Sequence, residues 1–89
     1  MEKINVRGDI IEIKRSVLTQ VKDSAMEAMF SGRYYVEKLD EAVLIDRDAE
    51  IFKLVLAYLR NDELNLSDPD KKLVDIELEY WGLPPIGYP

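Results

Sequence analysis

Asp46, Arg47 and Asp48 are the residues of this chain whose types and spacing could do chemistry. Two carboxylates flank a guanidinium at consecutive positions, with Glu50, Asp62 and Glu63 not far beyond. Paired carboxylates can act as general acid and base in hydrolysis. That chemistry needs a cleft, and a chain of 89 residues leaves little volume for one. The chain has no His and no Cys. Serine-triad and cysteine-nucleophile catalysis therefore lack their essential groups, and so do His/Cys zinc sites and disulfides. No phosphate loop and no dinucleotide-type glycine pattern is present. The expectation is a protein that is not an enzyme and holds no metal or cofactor.

Composition narrows the partners. Hydrophobic residues make up 47% and charged residues 34% of the chain, as in a globular domain. The net charge is −6, from 18 acidic and 12 basic residues. Nucleic-acid binding calls for a basic stripe; here the longest basic runs are Lys14-Arg15 and Lys71-Lys72. The same acidity disfavours anionic membranes. No apolar run approaches the roughly 20 residues that span a bilayer, and the start lacks a signal-peptide core. No nucleic acid and no direct membrane insertion are expected, and the expected compartment is cytoplasmic. A domain this small hides only about 60–65% of its unfolded surface and gains stability from a partner.

The charged triplet must be positioned by what flanks it. Ala42-Val43-Leu44-Ile45 reads as a strand that delivers it. Asp48 reads as the N-cap of the following helix, with Glu50 favourably placed in the first turn. Apolar residues then fall at Ile51, Leu54, Val55, Tyr58 and Leu59, the spacing of one buried face, with Phe52 and Leu56 widening it. Arg60 closes this helix, where it suits the helix dipole.

Elsewhere, Ile4-Asn5-Val6 and Ile11-Glu12-Ile13 alternate around Arg7-Gly8-Asp9, a hairpin with Ile4, Val6, Ile11 and Ile13 on its buried face. Ser16 is expected to cap a short helical turn burying Val17, Leu18 and Val21. Ser24-Ala25-Met26-Glu27 has the spacing of a capping box, and Gly32 ends the helix it starts. Tyr34-Tyr35-Val36 is expected to pair with residues 42–45 across a polar turn at 37–41. Asp68 is expected to cap the last helix, with Pro69 in its first turn. The expected buried residues are Leu73, Ile76 and Tyr80, with Val74, Leu78 and Trp81 beside them. Gly82 and Pro84-Pro85 stop the helix. The order β-β-α-β-β-α-α is that of a single α+β domain.

With these residues, that order resembles the potassium-channel tetramerisation branch of the BTB/POZ fold, the branch that includes KCTD-like proteins. Ile4-Asn5-Val6-Arg7-Gly8 is similar to the family's first strand and turn. Ser16-Val17-Leu18 and residues 23–32 are similar to its next helical block. Ile45-Asp46-Arg47-Asp48 resembles its Asp-Arg-Asp signature, followed by Phe52 and Leu56-Ala57-Tyr58-Leu59-Arg60. Glu77-Leu78-Glu79-Tyr80-Trp81-Gly82 resembles its closing segment. Each motif alone is weak; their order and spacing carry the resemblance over nearly the whole chain. Arg7 stands where the family usually has the first of two glycines, and Ile45 where it has an aromatic residue. The subunit-bridging zinc site of some channel members cannot exist here without His or Cys.

The resemblance implies a BTB/POZ-type α+β domain over residues 1–83, a small mixed sheet built from hairpins and packed against helices. Residues 84–89 would be a tail or the start of a linker. It also implies a protein–protein interaction module whose partner is itself, as a homo-tetramer or homo-pentamer joined head to tail. Such contacts bury roughly 1,200–2,000 Å² in total. Arg7, Asp9, Asp46, Arg47, Asp48 and Arg60 are the candidates for that interface. Each also has a plainer reading: a solvated turn for Arg7 and Asp9, a cap for Asp48, a helix end for Arg60. For Asp46 and Arg47 it is an exposed ion pair worth about 0–1 kcal/mol. An alternative function is an adaptor that links substrates to a cullin ubiquitin ligase, which would make a cullin a second partner. A third is a scaffold that uses the ring for avidity.

Overall fold

A computed structural model describes residues 1–86. Its first hairpin pairs β1 (Glu2–Val6) with β2 (Asp9–Ile13), and Val6 faces Asp9 across the turn. The two turn residues, Arg7 and Gly8, both have positive φ, +49° and +98°. That geometry matches the right-handed twist of the flanking strands. The Asn5 side-chain oxygen accepts a hydrogen bond from the Gly8 amide at 2.7 Å. Period-two alternation buries Ile4, Val6 and Ile13 on one face, as expected, with Ile11 half-buried.

Two short helices follow. The first, α1 (Arg15–Leu18), starts two residues earlier than a cap at Ser16 implies. Lys14 occupies the cap position without a side-chain bond, and Ser16 lies inside the helix. The physical reason is proximity: β2 ends at Ile13 and the backbone turns helical almost at once. The second, α2 (Ala25–Phe30), begins as its spacing indicates. The Ser24 hydroxyl accepts from the Glu27 amide at 3.0 Å. The reciprocal half of the capping box does not form, because the Glu27 carboxylate pairs with Arg33 at 2.7 Å.

The second hairpin differs from its expected position. Tyr34 and Tyr35 are exposed and irregular, and the strand that pairs with β4 (Ala42–Ile45) is β3 (Lys38–Leu39), inside the segment read as a turn. The tight turn at Asp40-Glu41, both at positive φ, decides this. It closes the hairpin immediately, Leu39 against Ala42, so the β-prone Tyr-Tyr-Val run falls beyond the ladder. β4 also pairs in parallel with β1, Ile4 opposite Val43 and Val6 opposite Ile45. The sheet is therefore mixed, in the order β2-β1-β4-β3.

Helix α3 (Ala49–Leu59) is capped by Asp48, whose carboxylate accepts from the Ile51 amide at 2.9 Å. Its buried face is centred on Phe52, Val55, Leu56 and Leu59, while Ile51, Leu54 and Tyr58 are only partly covered. Both sets fit helical spacing, and the packing partners choose between them. Phe52 lies 5.7 Å from Trp81, ring centre to ring centre.

Helix α4 (Asp68–Tyr80) is capped by Ser67, one residue before the expected Asp68. A larger correction concerns its faces. Val74, Glu77, Leu78 and Trp81 are buried, whereas Leu73, Ile76 and Tyr80 lie exposed. After the helix, Gly82 takes φ +71°, and the Leu83 amide donates to the Leu78 carbonyl at 2.8 Å. Residues 84–86 fold back along α4: the Ile86 amide donates to Asp75 at 2.8 Å, and Ile86 packs half-buried against the core. The rest of the expected tail, 87–89, lies outside the described residues.

Gly82 joins two helices. The Met26 amide donates to the Trp81 carbonyl at 3.2 Å. A Cβ at Gly82 would stand 3.1 Å from the Ala25 nitrogen, against backbone that has little freedom to move. Gly82→Ala should therefore cost about 2–3 kcal/mol, from the left-handed backbone plus this contact. Urea unfolding followed by circular dichroism should show a lower midpoint with an unchanged slope.

Candidate interaction surface

The Asp-Arg-Asp triplet leaves β4 and enters α3, and its three side chains go three ways. Asp46 points outward and accepts from the Arg7 Nε at 2.7 Å. Asp48 caps α3, as expected. Arg47 turns back across the domain to α4. Its Nε lies 3.2 Å from each Glu77 carboxylate oxygen, and its Nη2 lies 2.8 Å from Oε1. The guanidinium carbon sits 3.8 Å from the centre of the Tyr80 ring, a cation–π contact. The guanidinium is thus committed to Glu77 of its own chain.

Glu77 is only 4% exposed. A buried carboxylate costs several kcal/mol unless it is paired and hydrogen-bonded. Arg47 supplies the charge, and the Trp81 indole Nε1 donates to the other oxygen at 2.9 Å. The hydrogen bond that Arg47 donates to Glu77, and the negative charge of that carboxylate, raise the Arg47 pKa above the ordinary arginine value, against the burial that lowers it. Arg47 is therefore held in its charged form. Sequence reasoning missed Glu77, although a signal was present. Positions 74, 77, 78 and 81 share one helical face, and three of them are apolar. A carboxylate on such a face needs a cation from elsewhere.

Arg7, Asp9 and Asp46 are brought together at one end of the sheet. The pairing of Val6 with both Asp9 and Ile45 places the first turn beside the end of β4. Lys53 of α3 joins them, with its Nζ 3.2 Å from Asp9 and 3.5 Å from Glu50. The hydrogen bond and charge of Asp9, then Glu50, raise the Lys53 pKa above the ordinary lysine value. A groove of about 430 Å³, lined partly by Asn5, Glu37 and Leu44, runs beside this cluster. Arg60 is not part of it. It lies at the far end of α3, about 10 Å along the helix axis from Lys53, paired with Asp62 at 3.0 Å. Among the described residues, no three His, Cys, Asp or Glu side chains gather as metal ligands. Nor is any helix long and apolar enough to cross a membrane.

Exposed ion pairs of this kind contribute about 0–1 kcal/mol each to folding. Their chemical capacity is recognition: alternating charges, each able to exchange its partner for one on another chain.

A BTB/POZ domain family model matches residues 3–87. The chain is 36% identical to a bovine BTB/POZ domain-containing protein, KCTD18, over 92% of this chain and 20% of that protein. It is 33% identical to the human BTB/POZ domain-containing protein KCTD3, over 94% of this chain and 10% of the relative. It is 34% identical to the SH3KBP1-binding protein 1 of Bos taurus, over 93% of this chain and 12% of the relative. The chain thus spans a fifth or less of the length of these three relatives.

Removing the Arg47 guanidinium would leave Glu77 buried and unneutralised. Arg47→Ala should destabilise the domain by about 2–3 kcal/mol, less than for a fully buried pair because solvent reaches Arg47. In a double-mutant cycle with Glu77→Gln, the second change should cost much less once Arg47 is gone. Additive losses in urea unfolding would show that the two residues are not coupled.

Proposed function

Since the chain belongs to the BTB/POZ family, in its potassium-channel-tetramerisation branch, we propose that it assembles with copies of itself into a closed ring of four or five. The family consists of protein–protein interaction modules, and its members generally oligomerise or bind partners. The observation that carries the reading for this chain is the polar cluster of Arg7, Asp9, Asp46 and Lys53 at one end of the sheet. Four charges are held there in solvent, where they do little for folding. A head-to-tail contact needs two different surfaces on each copy. This cluster supplies one of them, with the exposed edge of Arg47 and the Asp48 cap at its border. Arg60, at the far end of α3, is a candidate for the opposing surface. Arg47 then acts mainly by holding Asp46 in place.

A second reading, an adaptor that brings substrates to a cullin ubiquitin ligase, draws support from the relatives. The three described above are named as KCTD proteins and an SH3KBP1-binding protein, and none is named as a channel subunit. The two readings are compatible, because a ring can present several copies of an adaptor surface.

Light scattering behind size exclusion should give about 41 or about 52 kDa at micromolar concentration, four or five times the 10.3 kDa chain. A monomer at every concentration would refute assembly. Arg7→Glu places like charges at Asp46 and should lower the mass while leaving the circular dichroism spectrum intact; raising salt to about 1 M should act in the same direction. The adaptor reading is tested separately, with a purified cullin amino-terminal domain. Co-elution with the ring is expected, and its absence in calorimetry would eliminate that role.

A further inference from the structure

The outer face of α4 is apolar, and none of the described residues covers it. Leu73, Ile76 and Tyr80 follow helical spacing, and they are 48%, 60% and 55% exposed. They form a stripe on the side of the helix away from Val74 and Leu78. Beside it lies a groove of about 400 Å³, lined by Ile76, Leu83 and Pro85 and rimmed by Asp75 and Glu79. A contiguous apolar strip with a polar rim marks a protein contact more often than a bare surface.

Charge says what should cover it. The last six residues of α4 carry Asp75, Glu77 and Glu79, and no basic residue lies in the last turn. Carboxylates at a helix C-terminus oppose the helix dipole. Glu77 is neutralised by Arg47. Among the described residues, Asp75 accepts the Ile86 amide and neither it nor Glu79 has an ion-pair partner. Arg47, the cation stacked on Tyr80, is already committed to Glu77. Lys71 and Lys72 stand one turn before Asp75 and two turns before Glu79, and neither forms an ion pair with them among the described residues. The negative end of the helix, the carboxylates of Asp75 and Glu79 and the apolar stripe therefore coincide. A partner surface that brings positive charge suits it better than one that brings further carboxylates.

We propose that the stripe of Leu73, Ile76 and Tyr80, with its acidic rim at Asp75 and Glu79, docks a basic amphipathic helix of another protein. Apolar side chains of that helix would lie along the stripe and enter the groove beside Leu83. Its Lys or Arg residues would meet Asp75 and Glu79. This is the helix-in-groove mode of recognition, with charge setting the orientation. It stands whether or not the domain forms a ring.

The test is a titration of the assembled protein, methyl-labelled at Leu and Ile, with an amphipathic Leu/Lys helical peptide and with its Leu/Glu counterpart. Shifts centred on the Leu73 and Ile76 methyl groups are expected, with binding of the Lys peptide at least about tenfold stronger, a difference of about 1.4 kcal/mol. Ile76→Asp and Glu79→Lys should each weaken it about tenfold while leaving the spectrum of the core and the particle mass unchanged. The proposal is overturned by equal affinity for the two peptides, by no binding, or by shifts scattered over the acidic surface without a centre on α4. It is also overturned if Ile76→Asp lowers the particle mass, because another copy would then own the stripe.

Discussion

A carboxylate that water barely reaches must find a positive charge, and in this domain Glu77 finds it in Arg47. The two residues are 30 positions apart. Their pairing ties the junction between β4 and α3 to the last helix. It also sets the rotation of α4 about its own axis. Once Glu77 faces Arg47 and Trp81, Val74 and Leu78 turn to the core, and Leu73, Ile76 and Tyr80 must turn away from it. Trp81 then meets Phe52 and Tyr80, at 5.7 Å and 5.1 Å between ring centres. The Trp81 carbonyl also receives the first turn of α2. Sheet, helix pair and helix end thus share one electrostatic anchor.

The anchor also separates the roles of neighbouring residues. Arg47 is turned inward, so Asp46 remains on the surface with Arg7, and Asp48 remains free to start α3. The result is a polar end of the sheet, where charges are exposed and exchangeable, and an apolar strip on α4, where they are not. The first is chemically suited to contacts that tolerate water and respond to salt. The second suits a partner that excludes water and brings positive charge. A small domain with two such different surfaces has the means to contact its own copies and a different protein at once.

Much of this was legible in the residues. The Arg7-Gly8 turn, the Ser24 and Asp48 caps and the Gly82 stop are local features, written within three or four positions. The alternation of β1 and the helical period of α3 are also local. What could not be read was which of two equally apolar faces a helix buries. In α4, positions 73, 76 and 80 and positions 74, 78 and 81 both satisfy the helical period. In the second hairpin, Tyr34-Tyr35-Val36 has the stronger strand character, yet the turn at Asp40-Glu41 awards the ladder to Lys38-Leu39.

The sequence by itself determined the succession of hairpins and main helices, though its order held one helix fewer than the structure. It also determined the Ser24 and Asp48 caps, the first turn, the family and the absence of His and Cys. These depend on the composition of the chain or on interactions between near neighbours. Only the tertiary structure decided that Arg47 belongs to Glu77, that the polar candidates at the first turn and the end of β4 form one cluster without Arg60, and that the Leu73 stripe faces outward. Each of these rests on a contact between residues far apart in the chain. A hydrophobic period records that a face is apolar, but not what lies opposite it.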